Sequence, residues 1–236
     1  VAVMKGADLY DDPDFLAGYQ RLRREGLGLN DELEIPAMAA LLPPAAGLRV
    51  LDLGCGEGGL AQRLAVGGAV GVLAVDASAA MLATAVRHPR IRYRQSDLAT
   101  LELTPESFDL AVSSLVLHYL EDFDGLVGRI SRWLAPGGRF VFSVEHPVVT
   151  APLEAADGRL DDYADEGPRQ RKWFVDEVTK YHRTVSSMVG TLRRHRFQLA
   201  AVEEPQPSEE QVRRKPHLSI HRRRPPLLLI SAGLQS

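Results

Sequence analysis

This sequence predicts an α/β fold with a Rossmann-like, doubly wound seven-stranded sheet and helices on both faces, and three observations carry that prediction. Short β-branched or apolar runs alternate with helical patterns from about residue 45 to residue 145. The runs are apolar on both faces, as strands of a parallel sheet covered by helices must be. Two later runs are separated by a stretch that Pro205, Pro207, Pro216, Pro225 and Pro226 interrupt. No helix-length pattern survives there, so these two strands form an antiparallel hairpin rather than another crossover unit.

The first strand is read at Arg49–Leu53 and is followed by a helix over Gly58–Val66. A second strand, Val70–Val75, leads into a helix over Ser78–Arg87, with Ser78 as N-cap because its hydroxyl can accept from an orphan amide. Strands Ile91–Gln95 and Leu110–Ser114 come next. Phe123, Leu126, Val127, Ile130 and Leu134 recur at helical spacing in Asp122–Leu134, and Pro136-Gly137-Gly138 stops that run. Arg139–Val144 completes five parallel strands; helix Val185–Arg196, strand Phe197–Val202 and strand Leu227–Ser231 close the sheet.

Two regions lie outside this core. Residues 1–44 carry Tyr10, Phe15, Tyr19, Leu22 and a helix-like Glu32–Leu42. Residues 146–184 are long, polar and aromatic (Tyr163, Trp173, Phe174, Tyr181) and leave the last parallel strand at its carboxyl end. Ligands of open α/β sheets bind at that edge, so the segment reads as a substrate cover. The chain is accordingly one domain over 1–236: an N-terminal helical cover (1–44), a ligand-binding core (45–145), the insertion (146–184), and a C-terminal helix with antiparallel strands (185–236).

A net charge of −3 and a pI near 6.2 give no basic field for nucleic acid or an anionic membrane. The one cysteine, Cys55, has no internal disulfide partner, which fits a reducing compartment. No apolar run reaches membrane-spanning length, and the acidic stretch Asp8, Asp11, Asp12, Asp14 is unlike a secretory signal. These features predict a cytoplasmic protein, a monomer or homodimer, acting on a small molecule. The seven histidines show no tight ligand spacing, so no metal site is expected.

The stretch VLDLGCGEGG, Val50 to Gly59, follows a strand and opens a helix. Gly54, Gly56 and Gly59 satisfy the dinucleotide fingerprint, and Asp76 ends the next strand where it would accept from ribose hydroxyls. Asp52, two residues before the first glycine, argues against a diphosphate. At an effective dielectric of about 20, like charges about 4 Å apart cost on the order of 4 kcal/mol. A nucleoside with a cationic tail suits that carboxylate better.

VLDLGCGEGG resembles the first motif of class I S-adenosylmethionine-dependent methyltransferases. VLAVDASAAML, RQSDLATL, FDLAVSSLVLHYLED and LAPGGRFVFSVEHP resemble the later motifs in order, over roughly Leu48 to Pro147. YDDPDFLAGYQRLR, NDELEIPAM, VEHPVVTAP, DEGPRQRKWF and KYHRTVSS resemble a group of bacterial small-molecule methyltransferases within that superfamily. The resemblance implies S-adenosyl-L-methionine as cofactor, with Asp52, Gly54 and Gly56 in its loop. Asp76 and the adjoining Ala77 take the ribose place, Met81 lies near the adenine, and Asp97 and Leu98 meet the adenine edge. Ser113 and Ser114 lie at the methionyl part, and Tyr10 and Tyr19 close over the cofactor from the N-terminal segment. One departure is Arg196-Phe197, where Gly-Phe is usual.

Methyl transfer from a sulfonium needs alignment first and a base only where the acceptor must lose a proton. His118 is a candidate base, or a histidine packed beside the adenine or capping the next helix. Glu145 and His146 leave the fifth strand at the same edge, as acceptor contacts or as a structural turn. In KYHR, Tyr181 and His182 fall on opposite faces of an extended strand, and His182 is a further candidate. Cys55 is either a small filler or a nucleophile. The expected acceptor is a nitrogen, oxygen or aromatic carbon of a heteroaromatic or similar metabolite. An NAD-dependent oxidoreductase and a non-catalytic cofactor sensor are the alternatives the glycine spacing leaves open.

Overall fold

A computed structural model describes residues 10–24, 28–152, 162–173 and 175–235. Seven strands form one sheet: β1 (Arg49–Leu53), β2 (Gly71–Asp76), β3 (Ile91–Gln95), β4 (Phe108–Ser114), β5 (Leu134–Glu145), β8 (Phe197–Glu203) and β9 (Leu227–Leu234). Their order is β3-β2-β1-β4-β5-β9-β8. The first five run parallel, and β9 inserts antiparallel between β5 and β8. A second sheet, the hairpin β6 (Gly167–Trp173) and β7 (Val175–His182), stands apart.

The two-residue alternation of the strands feeds two cores. Leu51, Leu53, Ala111, Phe140 and Phe142 meet helix α5 (Phe123–Trp133) and helix α7 (Val185–Arg194) on one face. Val50, Val72, Ala74, Leu110 and Val112 meet helix α2 (Ile35–Leu41) and helix α3 (Gly59–Val66) on the other. Each fully buried aliphatic side chain contributes about 1.5–3 kcal/mol, so both layers matter to stability. Asp52 shares the Val50 face, beneath the start of α3.

Local chemistry sets the helix ends. The Asp122 carboxylate accepts from the Gly125 amide at 2.8 Å and starts α5. Ser78 caps α4 (Ala79–Thr84) as expected, accepting from Met81 N at 3.1 Å. That helix is shorter than the sequence suggests, because Val86 N turns to the Glu57 carbonyl (3.1 Å) and ties the chain to the glycine loop. Glu32–Leu42 is likewise not one α-helix: Asn30–Glu34 forms a π-turn before α2. Pro36 falls in the first turn of α2, where its missing amide costs nothing.

Within residues 146–184 the described parts form regular elements rather than a loop. Helix α6 (Pro147–Thr150) leaves β5, and the β6–β7 hairpin returns to it. Phe174 and the Trp173 side chain lie outside the described residues, as do Asp8 and the Leu22 side chain. Helix α1 (Pro13–Arg24) and the turn before it lie over the carboxyl edge of β2: Asp11 Oδ1 accepts from Ser78 Oγ (2.6 Å) and Ala80 N (3.1 Å). Between β8 and β9 stand helix α8 (Glu209–Arg214) and a 3-10 segment over Pro216–Arg222, too short for a crossover of the βαβ type. Among the described residues, no helix is long and apolar enough to cross a membrane.

Candidate active site

The carboxyl ends of β1, β2, β4 and β5 open into a cavity of about 550 Å³, continuous in its lining with a second chamber of about 220 Å³ toward β3. Tyr10, Gly54, Asp76, Val116 and Tyr119 line both.

Backbone conformation shapes the cofactor end. Gly54 and Gly56 have φ of +76° and +53°, which L side chains rarely adopt. A Cβ on Gly54 would also come within 2.3 Å of Val116 Cγ2, so only glycine fits. Gly56 N donates to Asp76 Oδ2 at 2.7 Å and Ser78 N to Asp76 Oδ1 at 2.9 Å, fixing the carboxylate at the junction of the chambers. Burial still raises the Asp76 carboxyl above its ordinary range despite these amides. Ala77, Asp97 and Leu98 line the smaller chamber, and Met81 the larger.

Asp52 is the outlier. It is 1% exposed, and neither carboxylate oxygen makes a hydrogen bond of ordinary geometry. Burial pushes its carboxyl up to about 7, with the Asp76 charge adding to the effect; the Ala61 amide and Arg63 oppose it only in part. An orphaned buried carboxylate costs about 1–3 kcal/mol or more, which points to a ligand group that completes it. An ammonium does so. The orphaned acid, the glycine cradle and a second chamber beyond Asp76 fit a nucleoside carrying an amino-acid tail.

Aromatic residues roof the cavity. Tyr10 packs edge-on against Tyr19 (5.3 Å between centroids) and Tyr119 (6.4 Å). Burial raises the Tyr10 and Tyr119 hydroxyls above the usual phenol range, so both remain neutral donors.

At the other end, Glu145 and His118 line the cavity together. Lys180 Nζ, on β7, meets Glu145 Oε1 at 2.5 Å. Burial works to raise the Glu145 carboxyl, but the positive charges around it, the Lys180 ammonium with its hydrogen bond among them, hold it below the ordinary range. His118 sits in a 3-10 turn (Leu117–Tyr119), where burial pushes its imidazole down to about 4 and Lys180 and Arg183 resist protonation further. Its Nδ1 accepts from Glu145 N at 3.4 Å, which leaves the proton of the neutral ring on Nε2. His118 lines the remaining space with Nδ1 turned to the Glu145 amide.

Three sequence candidates lie outside both chambers. His146 caps α6, accepting from Val148 N at 3.1 Å, and its Nε2 meets Glu204 Oε1 at 2.6 Å. His182 does lie opposite Tyr181 on β7, but it is buried between Thr150 Oγ1 (2.8 Å) and the Tyr163 carbonyl (2.9 Å). Ser113 turns its hydroxyl to the Leu53 carbonyl at 2.8 Å. These geometries replace the expected ligand contacts with structural ones. Burial raises the Cys55 thiol well above its usual value, which suits a filler and not a nucleophile. Among the described residues, no cluster of three metal-ligating side chains occurs.

Sequence reasoning missed Glu34 and Arg63, both lining the cavity. Glu34 Oε1 accepts from Ser114 Oγ and Ser143 Oγ, each at 2.8 Å. The only signal for it was NDELEIP, whose proline placed a helix start beside an acid.

Fold and site together define a doubly wound α/β protein that holds a nucleoside at the carboxyl edge of its sheet. The methyltransferase domain model matches residues 51–142. The structure is similar to that of an S-adenosylmethionine-dependent methyltransferase from Mesorhizobium loti: 42% identity, 84% of this chain and 96% of the other, TM-score 0.78. An uncharacterised Haemophilus influenzae protein is 34% identical over 95% of this chain and 96% of its own length. A trans-aconitate 2-methyltransferase from Deinococcus radiodurans is 40% identical over 47% of this chain, but the match spans only 42% of that protein. The chain belongs to the class I S-adenosylmethionine-dependent methyltransferases.

Proposed function

We propose that this chain moves the methyl group of S-adenosylmethionine to a nitrogen or oxygen atom of a heteroaromatic or similar small metabolite. The observation that carries the reading is the second end of the cavity: Glu34, His118, Tyr119 and Glu145 face one enclosed space beyond the glycine loop. The tyrosines of the N-terminal segment along its lining suit a small acceptor.

S-adenosylmethionine supplies the electrophilic methyl on its sulfonium. The chain's residues bind and orient. Asp76 accepts from the ribose hydroxyls, Asp97 and the Leu98 backbone meet the base, and Met81 packs beside it. Asp52 faces the ammonium of the tail and Arg63 its carboxylate. Tyr10 and Tyr19 exclude water from above, which strengthens each polar contact beneath them. His118 donates through Nε2 to an acceptor heteroatom, and the Glu145–Lys180 pair keeps that end rigid. Alignment, worth several powers of ten in rate, supplies most of the catalysis.

The test is a product screen by mass spectrometry with labelled methyl donor across a panel of aromatic and heteroaromatic metabolites, beside calorimetry with S-adenosylhomocysteine and NAD. Labelled product and nucleoside binding are expected. Binding without product across the panel would favour a sensor, and NAD binding in preference to the sulfur nucleoside would sink the reading.

A further inference from the structure

Glu34 is 1% exposed and lines the main cavity, and its partners are two neutral hydroxyls on one oxygen. Among the described residues no donor reaches Oε2, and no lysine, arginine or histidine is paired with the side chain. A buried carboxylate with no counter-charge is unfavourable unless a ligand supplies one. Ser114 and Ser143 fix where it points, and the π-turn that carries it is a backbone device frequent at functional sites.

Strand order places Glu34 past the acids of the first three strands. Crossing the carboxyl edge from β3, the sheet offers Asp97 after β3, Asp76 on β2 and Asp52 on β1. These serve base, ribose and tail in turn. Glu34 is held by Ser114 of β4 and Ser143 of β5, one and two strands further on. Strands stand about 4.8 Å apart, so the hydroxyls that hold Glu34 lie one and two strands past Asp52, close enough for the two acids to act on one another. Leu29, Ile35, Val149 and Leu227 line the same cavity, with Asn30 and His221 among its polar residues, and the other acid at that end, Glu145, is already paired with Lys180. Glu34 is thus the acid at that end without an ionic partner among the described residues.

We infer that Glu34 selects the methyl acceptor, and that the acceptor is a nitrogen base presenting an ammonium or N–H group to Oε2. The inference rests on the methyltransferase reading above and narrows its acceptor class. A carboxylate acceptor, as the name of the trans-aconitate relative implies for that protein, would meet like charge here.

Binding is measured by calorimetry on the protein saturated with S-adenosylhomocysteine, using matched pairs of opposite charge: benzylamine and benzoate, histamine and imidazole-4-acetate, tryptamine and indole-3-acetate. At least one amine binds at millimolar concentration or better and outcompetes its acid partner. In Glu34→Gln that amine loses about tenfold or more in affinity, while S-adenosylhomocysteine changes by less than about threefold. Glu34→Asp keeps the charge preference, and thermal melting verifies that each variant is folded. The inference falls if no amine binds, if acids bind as well as amines, or if Glu34→Gln weakens the nucleoside instead. Mass spectrometry of the same mixtures separates the two readings. An amine bound through Glu34 but never methylated by any variant or donor counts against the transferase reading alone, and methylation of an acid or alcohol counts against the nitrogen base alone.

Discussion

The two ends of the cavity are built by different means. The β1–β3 end is made of backbone: positive-φ glycines, amides converging on Asp76, and one capped helix, all within residues 50–98. The β4–β5 end is made of side chains from distant segments, with Glu34 reaching Ser143 across 109 positions and Lys180 reaching Glu145 across 35. Backbone cradles suit a ligand that never changes. Side chains on inserted segments suit an acceptor that differs from protein to protein.

If that division holds, damage to each end should register on a different ligand. The largest effect is expected from Gly54→Val, which adds a Cβ in contact with Val116 and a branched side chain at positive φ. It should cost about 3 kcal/mol or more in stability and abolish nucleoside binding, as read by denaturant melts and calorimetry. Normal binding by this variant would break the cradle argument.

Asp52→Asn comes next and tests the orphaned acid. With a native pKa raised to about 7 against about 4 unfolded, the folded state holds an extra proton between those values. Stability from this group is therefore full below about pH 4 and lost as pH rises through 7. The ligand-free variant should be more stable than wild type at pH 8, on the order of 2–4 kcal/mol, yet bind the nucleoside more weakly. Ligand binding by wild type near pH 7 should release a proton, visible as a buffer-dependent calorimetric heat. Equal melting curves for both proteins at pH 8 would remove the claim.

Asp76→Ala should weaken nucleoside affinity by about 1–3 kcal/mol with acceptor discrimination intact. Lys180→Met strips the partner from a half-buried Glu145 and should cost about 1–2 kcal/mol in stability, discounted for solvent at that side chain. It should lower acceptor turnover while leaving the nucleoside constant unchanged; a drop in nucleoside affinity would blur the two ends. The smallest effect concerns neither. Arg196 occupies the position after α7 with φ of +64°, where the related pattern has glycine. Arg196→Gly should raise stability by about 0.5–1 kcal/mol without altering either ligand, as measured by urea unfolding with parallel binding assays.

Legibility followed the same divide. The strands of the main sheet and the Ser78 cap can be read directly because periodicity and capping are local. His146 precedes a proline at a helix start, the usual place of a cap, yet its position at a strand end invited a chemical role. Attention within KYHR went to Tyr181 and His182, and the residue that reaches the cavity wall ion pair is Lys180. Glu34 belonged to no motif at all.

By itself the sequence determined the sheet, the glycine cradle and the acids along β1–β3, since each depends on residues a few positions apart and on backbone conformations that few side chains permit. Tertiary structure alone decided that burial pushes the His118 imidazole down, that Glu145 is paired with Lys180, and that Glu34 has no ionic partner among the described residues. Protonation and pairing depend on burial and on neighbours brought together from across the chain, and those exist only once the sheet has closed its edge against α1, α2 and the hairpin.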